Sequence, residues 1–290
     1  MFLMLAAAIG LAIGLVVGAL GAGGGMLFIP VLVYLLHFSP HEAAAASLII
    51  VGLTALVSLV PHARSGNVQW RKGLLFGVFS AAGSVAGSKV NALTPGNYLM
   101  LLFALLAAAV AIAMARRGLT ARRQYHDKIR KILQEDAAEV FAQNASTGAD
   151  ASPEASAQVA ADKVQPQSPL FKWVLAALVT GFLTGFFGVG GGFAVVPALV
   201  ILLHLNMRQA AATSLFIMVI SCVSSLLARI GTPLNIDLVV VTVFALTSMV
   251  GGALGPILTR QVREYRLTLG FACLLAGVAI VTGAAQIPSW

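Results

Sequence analysis

The stretch GLVVGALGAGGGMLFIPVL, Gly14 to Leu32, recurs as GFLTGFFGVGGGFAVVPAL, Gly181 to Leu199. A shift of 167 residues superposes Gly14, Gly18, Gly21, Gly23, Gly24, Gly25, Pro30, His37 and Ser47 on Gly181, Gly185, Gly188, Gly190, Gly191, Gly192, Pro197, His204 and Ser214. A shift of 168 carries Gly83, Gly87 and Phe103 onto Gly251, Gly255 and Phe271. The chain is therefore two copies of one apolar unit, each with a helix-breaking glycine cluster inside its apolar run. Matched breaks in two repeats are how many transporters build a site at mid-membrane.

Around these motifs the composition is extreme. Hydrophobic residues make up 59% and charged residues 10%, with a mean hydropathy of +0.94. A soluble 290-residue chain could not hide that much apolar surface, so an integral membrane protein is expected. The net charge of +8 is not the footprint of nucleic acid. Half of the Lys and Arg residues fall between Arg116 and Lys172, and most others end apolar runs, as in cytoplasmic loops beside anionic lipid. Cys222 and Cys273 lie in apolar segments with no Cys or His at ligand spacing, so they read as packing residues, with no metal or other cofactor implied. The chain enters its first apolar run with no basic residue ahead of it, which predicts a retained helix rather than a cleaved signal.

Five apolar stretches are expected per copy, at about 2–20, 24–37, 43–62, 73–90 and 98–115, then 170–187, 191–204, 211–229, 238–258 and 266–285. A crossing takes about 20 residues, so the second stretch of each copy is short. Counting it as a crossing makes the copies inverted; discounting it makes them parallel. With five plus five, Arg64, Arg71, Lys72, Arg208, Arg260, Arg263 and Arg266 join the central segment in the cytoplasm, and only Lys89 and Arg229 fall outside. With four plus four, Lys89, Arg208, Arg260, Arg263 and Arg266 are all external. The positive-inside rule selects five plus five. The expected fold is all-α and membrane-embedded: two inverted repeats of about five segments, each with a broken helix at its triple glycine.

Three regions follow. Residues 1–115 form the first repeat and 170–290 the second. Between them, 116–169 opens with the basic run Ala115–Gln134, whose Ile129, Ile132 and Leu133 share a helical face and predict a helix on the cytoplasmic leaflet. From Ala137 to Ser168 the composition is that of a disordered linker.

The glycines admit two readings. Spaced glycines, such as Gly10, Gly14 and Gly18, let helices approach closely. A run of three followed by proline exceeds what packing requires. At Gly23, Gly24 and Gly25, and at Gly190, Gly191 and Gly192, exposed N–H groups at the start of a half-helix would face an anion. Ser47, Thr213 and Ser214 follow the breaks as candidate hydroxyl donors, although such residues often bond the preceding turn. His37 and His204 coincide across the copies as solvated tips or, alternatively, proton-coupling groups, since no Asp or Glu lies in any apolar run. A dinucleotide fingerprint fails, because the third spaced glycine is missing and Gln209 stands where Glu42 should recur. No nucleophile–base pair at membrane depth suggests an enzyme, so no catalytic residue is assigned.

The doubled GxGGGxxxxP with a following AAAAS or AATS element resembles the sulfite exporter TauE/SafE family, over both repeats but not the insert near 116–168. The resemblance implies a multi-pass carrier of small anions, typically sulfite and organosulfonates, in the cytoplasmic membrane. Cargo, direction, coupling ion and oligomeric state stay open. A non-transporting membrane scaffold and a membrane-embedded enzyme are the alternatives that the repeated breaks fit less well.

Overall fold

The computed structural model describes residues 2–20, 25–145, 170–205, 207–231, 237–258 and 264–286. All regular structure among them is helical. The first repeat contributes α1 (Phe2–Leu20), α2 (Gly25–Pro30, running on as a π-helical turn over Val31–Leu35), α3 (Pro40–Arg64), α4 (Trp70–Leu93) and α5 (Gly96–Ala145). The second contributes α6 (Leu170–Phe187), α7 (Gly192–Leu202), α8 (Met207–Ala228), α9 (Leu238–Leu258) and α10 (Glu264–Gln286). Six of these, α3, α4, α5, α6, α8 and α9, are long and apolar enough to cross a membrane, and shorter apolar segments lie in α1, α2, α7 and α10.

Local sequence explains where the helices begin and end. Ser39 caps α3 in a reciprocal box with Glu42: the Glu42 N–H donates to Ser39 Oγ, the Ser39 N–H donates to Glu42 Oε2, and Pro40 occupies the first turn. Asp237 caps α9 through Oδ1, which accepts from the N–H groups of Val239 and Val240. These two carboxylates beside the apolar runs are thus helix caps. At the far ends of the short segments, His37 and His204 adopt left-handed backbone, with φ of 56° and 50°. Beyond each histidine the chain folds back on the helix, the Phe38 N–H donating to Leu32 O and the Leu205 N–H to Leu199 O. That six-residue closure is a helix stop, and histidine tolerates the left-handed region better than bulkier or branched residues.

The two repeats interlock. α1 packs along α9 and α6 along α4, while α3 and α8 touch each other and the partner repeat's fourth helix. Glycines allow this: a side chain at Gly14 or Gly18 would strike the backbone of Ser248 or Gly252, and one at Gly181 or Gly185 the backbone of Ser80 or Ser84. The order of these contacts sets direction. Gly10, Gly14 and Gly18 rise along α9 as α9 rises, and α6 likewise runs parallel to α4. Gly73 against Thr213 and Phe216, Gly77 against Ile220, and Ser80 against Ser221 make α8 parallel to α4 as well. α3 runs the other way, because its first turn meets the last turn of α4, where His41 Nε2 lies 3.2 Å from Asn91 O and 3.0 Å from Thr94 O.

One end of the bundle collects basic residues. Arg64, Arg71 and Lys72 flank the α3–α4 turn, whose Gln69 N–H reaches Thr213 near the start of α8. Arg208 belongs to that start, and Lys172 to the parallel start of α6. α5 brings the central basic run to the same end, with Gly118 seated against Leu269 of α10.

The basic run expected to lie as a helix on the leaflet is helical and continuous with the apolar span before it. α5 continues without interruption from its apolar span through Ala145, for 50 residues, about 75 Å at 1.5 Å per residue. No proline interrupts it, and its lone internal glycine past the first turn, Gly118, is a packing contact. Helix also covers the start of the stretch expected as linker; residues 146–169 lie outside the described residues.

Candidate substrate site at the paired glycine breaks

α6 ends at Phe187, α7 begins at Gly192, and the chain between them reverses. Gly190 and Gly191 hold φ of 75° and 67°, which L side chains resist. Space also excludes side chains there. A Cβ at Gly190 would meet Val51, and one at Gly191 would strike Thr184 Oγ1. From this turn α7 runs back along α6, its Val195, Val196, Leu199 and Leu203 clustering with Ala177, Ala210 and Ile217.

The first repeat's break comes to the same place. Gly25 opens α2, and a Cβ there would collide with the Val189 carbonyl, with Val51 as the next neighbour. Gly190 borders both Val51 and Met218, positions related by the 167-residue shift at mid-height of α3 and α8. Gly25, Gly190, Gly191 and Gly192 are thereby brought together in a buried centre. Gly23 and Gly24 lie outside the described residues.

Hydrogen bonding at the second break is one-sided. Four carbonyls at the end of α6 and in the turn, those of Thr184, Gly185, Phe186 and Gly188, find donors. Gly185 O accepts from Arg229 Nη2 at 2.9 Å and from Ser88 Oγ at 3.4 Å, and Phe186 O from Asn91 Nδ2 at 2.7 Å. Thr184 O accepts from the Gly188 N–H at 2.8 Å. Gly188 O accepts from Ser47 Oγ at 2.6 Å. Among the described residues no acceptor engages the N–H groups of Gly190, Gly191 and Gly192, although all three glycines are buried. Irregular backbone at membrane depth must be buried in protein or line a cavity. Here most of the carbonyl half is satisfied by protein, and the amide half is a run of buried donors without acceptors among the described residues, at the positive end of α7.

The expected hydroxyls are placed unequally. Ser47 belongs to this centre, but its proton is held between Gly188 O and Ala44 O, 3.0 Å away. Ser214 donates to Ala211 O at 2.7 Å, the backward bond common for serine in membrane helices. Thr213 sits apart, near the α3–α4 turn, where Oγ1 accepts from the Gln69 N–H at 3.1 Å. His37 and His204 are exposed helix ends, away from the buried centre. Sequence reading missed Asn91 and Ser88, whose amide and hydroxyl cap α6 from α4. The signal available was a polar residue at the end of an otherwise small and apolar helix.

A family model for the sulfite exporter TauE/SafE family matches residues 6–282, both repeats and the segment between them. The chain belongs to that family. A "Probable membrane transporter protein" of Xylella fastidiosa (strain Temecula1) is 30% identical over 278 residues, covering 92% of this chain and 90% of that one. "Probable membrane transporter protein YunE" of Bacillus subtilis (strain 168) is 28% identical over 224 residues, 73% of this chain and 72% of that one. No solved structure matches. TauE/SafE membership makes the chain a multi-pass membrane protein of a transporter family, and the described glycines of the signature's breaks, Gly25 and Gly190–Gly192, are buried.

Proposed function

We propose that this TauE/SafE protein exports a small oxyanion, sulfite or an organosulfonate, through the paired glycine breaks. The observation that carries the proposal is the chemistry of the second break: buried amide donors at Gly190–Gly192, no carboxylate among their described neighbours, and Arg229 one turn away on Gly185 O. Such a set suits an anion and penalises a cation. Gly23–Gly25 would supply the matching donors from the first repeat. Ser47 and Ser214 would serve the anion only after their protons leave the backbone carbonyls, and Thr213 would need a larger movement.

The repeats are inverted about an axis in the membrane plane, and each contains a broken helix. Support comes from helix direction: α3 opposes α8, α4 opposes α9, and α1, parallel to α9, opposes α6, parallel to α4. With the basic end in the cytoplasm, an interior-negative potential drives anions out, at ~2.3 kcal/mol per charge per 100 mV. For a dianion that is about 4.6 kcal/mol, or roughly three orders of magnitude of gradient without a coupling ion.

Purified protein in liposomes should release trapped sulfite when an interior-negative potential is imposed, above protein-free vesicles. No flux of sulfite or of any sulfonate under that potential would refute the proposal. Topology has its own test. In intact cells Pro95→Cys should label from outside and Gln261→Cys should not. Strong external labelling at position 261 would exclude inversion.

A further inference from the structure

Two buried polar columns leave the centre in opposite directions. On α3, Ser47, Val51, Thr54, Ser58 and His62 share one face, being spaced by three, four or seven residues. The 167-residue shift maps them onto Ser214, Met218, Ser221, Ser225 and Arg229 of α8. Their bonds repeat too. Thr54 Oγ1 pairs with Ser248 Oγ of α9 at 2.7 Å, and Ser221 Oγ pairs with Ser80 Oγ of α4 at 2.8 Å. One turn further out, the pattern changes. Ser58 Oγ and Ser225 Oγ, both on residues with 0% exposure, have no hydrogen-bond partner. Serine in a membrane helix ordinarily bonds the carbonyl of the preceding turn, as Ser224 does with Ile220 O at 2.9 Å. A buried hydroxyl without a partner is a cost that alanine would remove, yet it stands at the same place in both repeats.

We infer that Ser58 and Ser225 are substrate-donor stations, one on each side of the central breaks, which the anion visits on its way in and out. This rests on the oxyanion-carrier reading above. Because α3 and α8 are antiparallel, the column past Ser58 leads to the basic end of the bundle and the column past Ser225 to the other end. Each station lies one turn inside a nitrogen-bearing side chain, His62 or Arg229, and one turn outside a hydroxyl pair. Among the described residues the columns offer hydroxyl and nitrogen donors and no carboxylate, so a small oxyanion can exchange donors stepwise while crossing apolar packing. Above Ser58 the α9 backbone at Gly252 approaches so closely that even a methyl group there would strike the hydroxyl. At the equivalent position of the other column stands Ser84 of α4.

The test is sulfite flux in proteoliposomes with wild type, Ser58→Ala, Ser225→Ala, and the near-isosteric but weakly donating Ser58→Cys and Ser225→Cys. The expected result is a KM for sulfite raised about five- to fifty-fold in both alanine forms, with the cysteine forms following them. The thermal midpoint should hold or rise, because an unpartnered hydroxyl has been removed. Unchanged KM in all four variants would overturn the inference while leaving the carrier reading intact. A lowered midpoint with unchanged KM would assign the hydroxyls to packing and overturn it equally. Absence of flux in wild type would remove the carrier reading and this inference with it.

Discussion

Glycine serves two different ends in the two kinds of contact that hold this bundle together. Along α1–α9 and α4–α6 the glycines have helical neighbours whose backbone fills the space a side chain would need: Ser248 opposite Gly14, Ser80 opposite Gly181. Their own amides lie inside regular helices. At the reversal between α6 and α7 the demand is on conformation as well, with Gly190 and Gly191 at positive φ. There the neighbour of Gly191 is a side chain, Thr184, and the amides lack acceptors among the described residues. The ladders bring helices close and leave no chemistry over. The reversal leaves donors over, which is why the candidate site falls there.

The largest effect should come from the ladders. Gly181→Val places a branched side chain on the Ser80 backbone, and neither helix can yield locally. Overpacking costs ~1–3 kcal/mol even where neighbours relax, so most of the folded, monodisperse protein should be lost in size-exclusion chromatography. A normal yield would break the comparison.

At the reversal, Gly191→Ala should lower the thermal midpoint by a smaller amount. A left-handed residue costs ~1–2 kcal/mol, and contact with Thr184 Oγ1 adds to it. Thr184→Ala in the same chain should restore the contact part alone. Full recovery in the double variant would mean that space, not backbone conformation, dictates glycine there, making the two regions alike.

Satisfaction of the α6 carbonyls can be probed next. Asn91→Leu strips Phe186 O of its 2.7 Å donor, and a buried carbonyl left alone costs ~1–3 kcal/mol. Ser88→Ala removes only a 3.4 Å bond to Gly185 O, which Arg229 also serves. That change should stay within about 0.5 kcal/mol. Equal losses would show that the carbonyl half is not tuned bond by bond.

The smallest effect is expected at the helix stops. His204→Gly relieves left-handed backbone at φ 50° but enlarges the freedom of the unfolded chain. The two terms nearly cancel, so the net change should be a stabilisation of no more than a few tenths, about 0.3 kcal/mol. Flux measured against pH in His37→Gly and His204→Gly then separates the two readings of these residues. An unchanged profile leaves them as helix ends, whereas loss of pH dependence makes them proton-coupling groups.

Much of the fold was legible because period and repetition are local. The five apolar stretches per copy, the short second one with its proline included, correspond to α1–α10 within a few residues, except that α5 runs on well past its expected end. Capping of α3 by Ser39 and Glu42 is also a local signal, an S-P-H-E run. The union of the basic run with α5 was not legible. A change from apolar to basic marks a change of environment and not a change of helix, and only proline or a glycine cluster would have ended it. The placement of Thr213 was not legible either. It adjoins Ser214 in sequence, but adjacent residues on a helix point about 100° apart, and it turned to the α3–α4 turn instead of the centre.

The sequence by itself determined membrane residence, the doubling of the unit, the places where helices must break, and the family. Each follows from composition or short-range pattern, because bilayer solvation and glycine conformation act on a few neighbouring residues at a time. Tertiary structure alone decided which surfaces meet. It set Gly25 against Val189, Ser47 on Gly188, Asn91 on Phe186, and Ser58 and Ser225 in matched isolation. These contacts join residues 95 to 164 positions apart in the paired cases, a range over which no periodicity carries information. Close packing between interlocked repeats chooses among them, and with them which buried donors are left without a partner among the described residues.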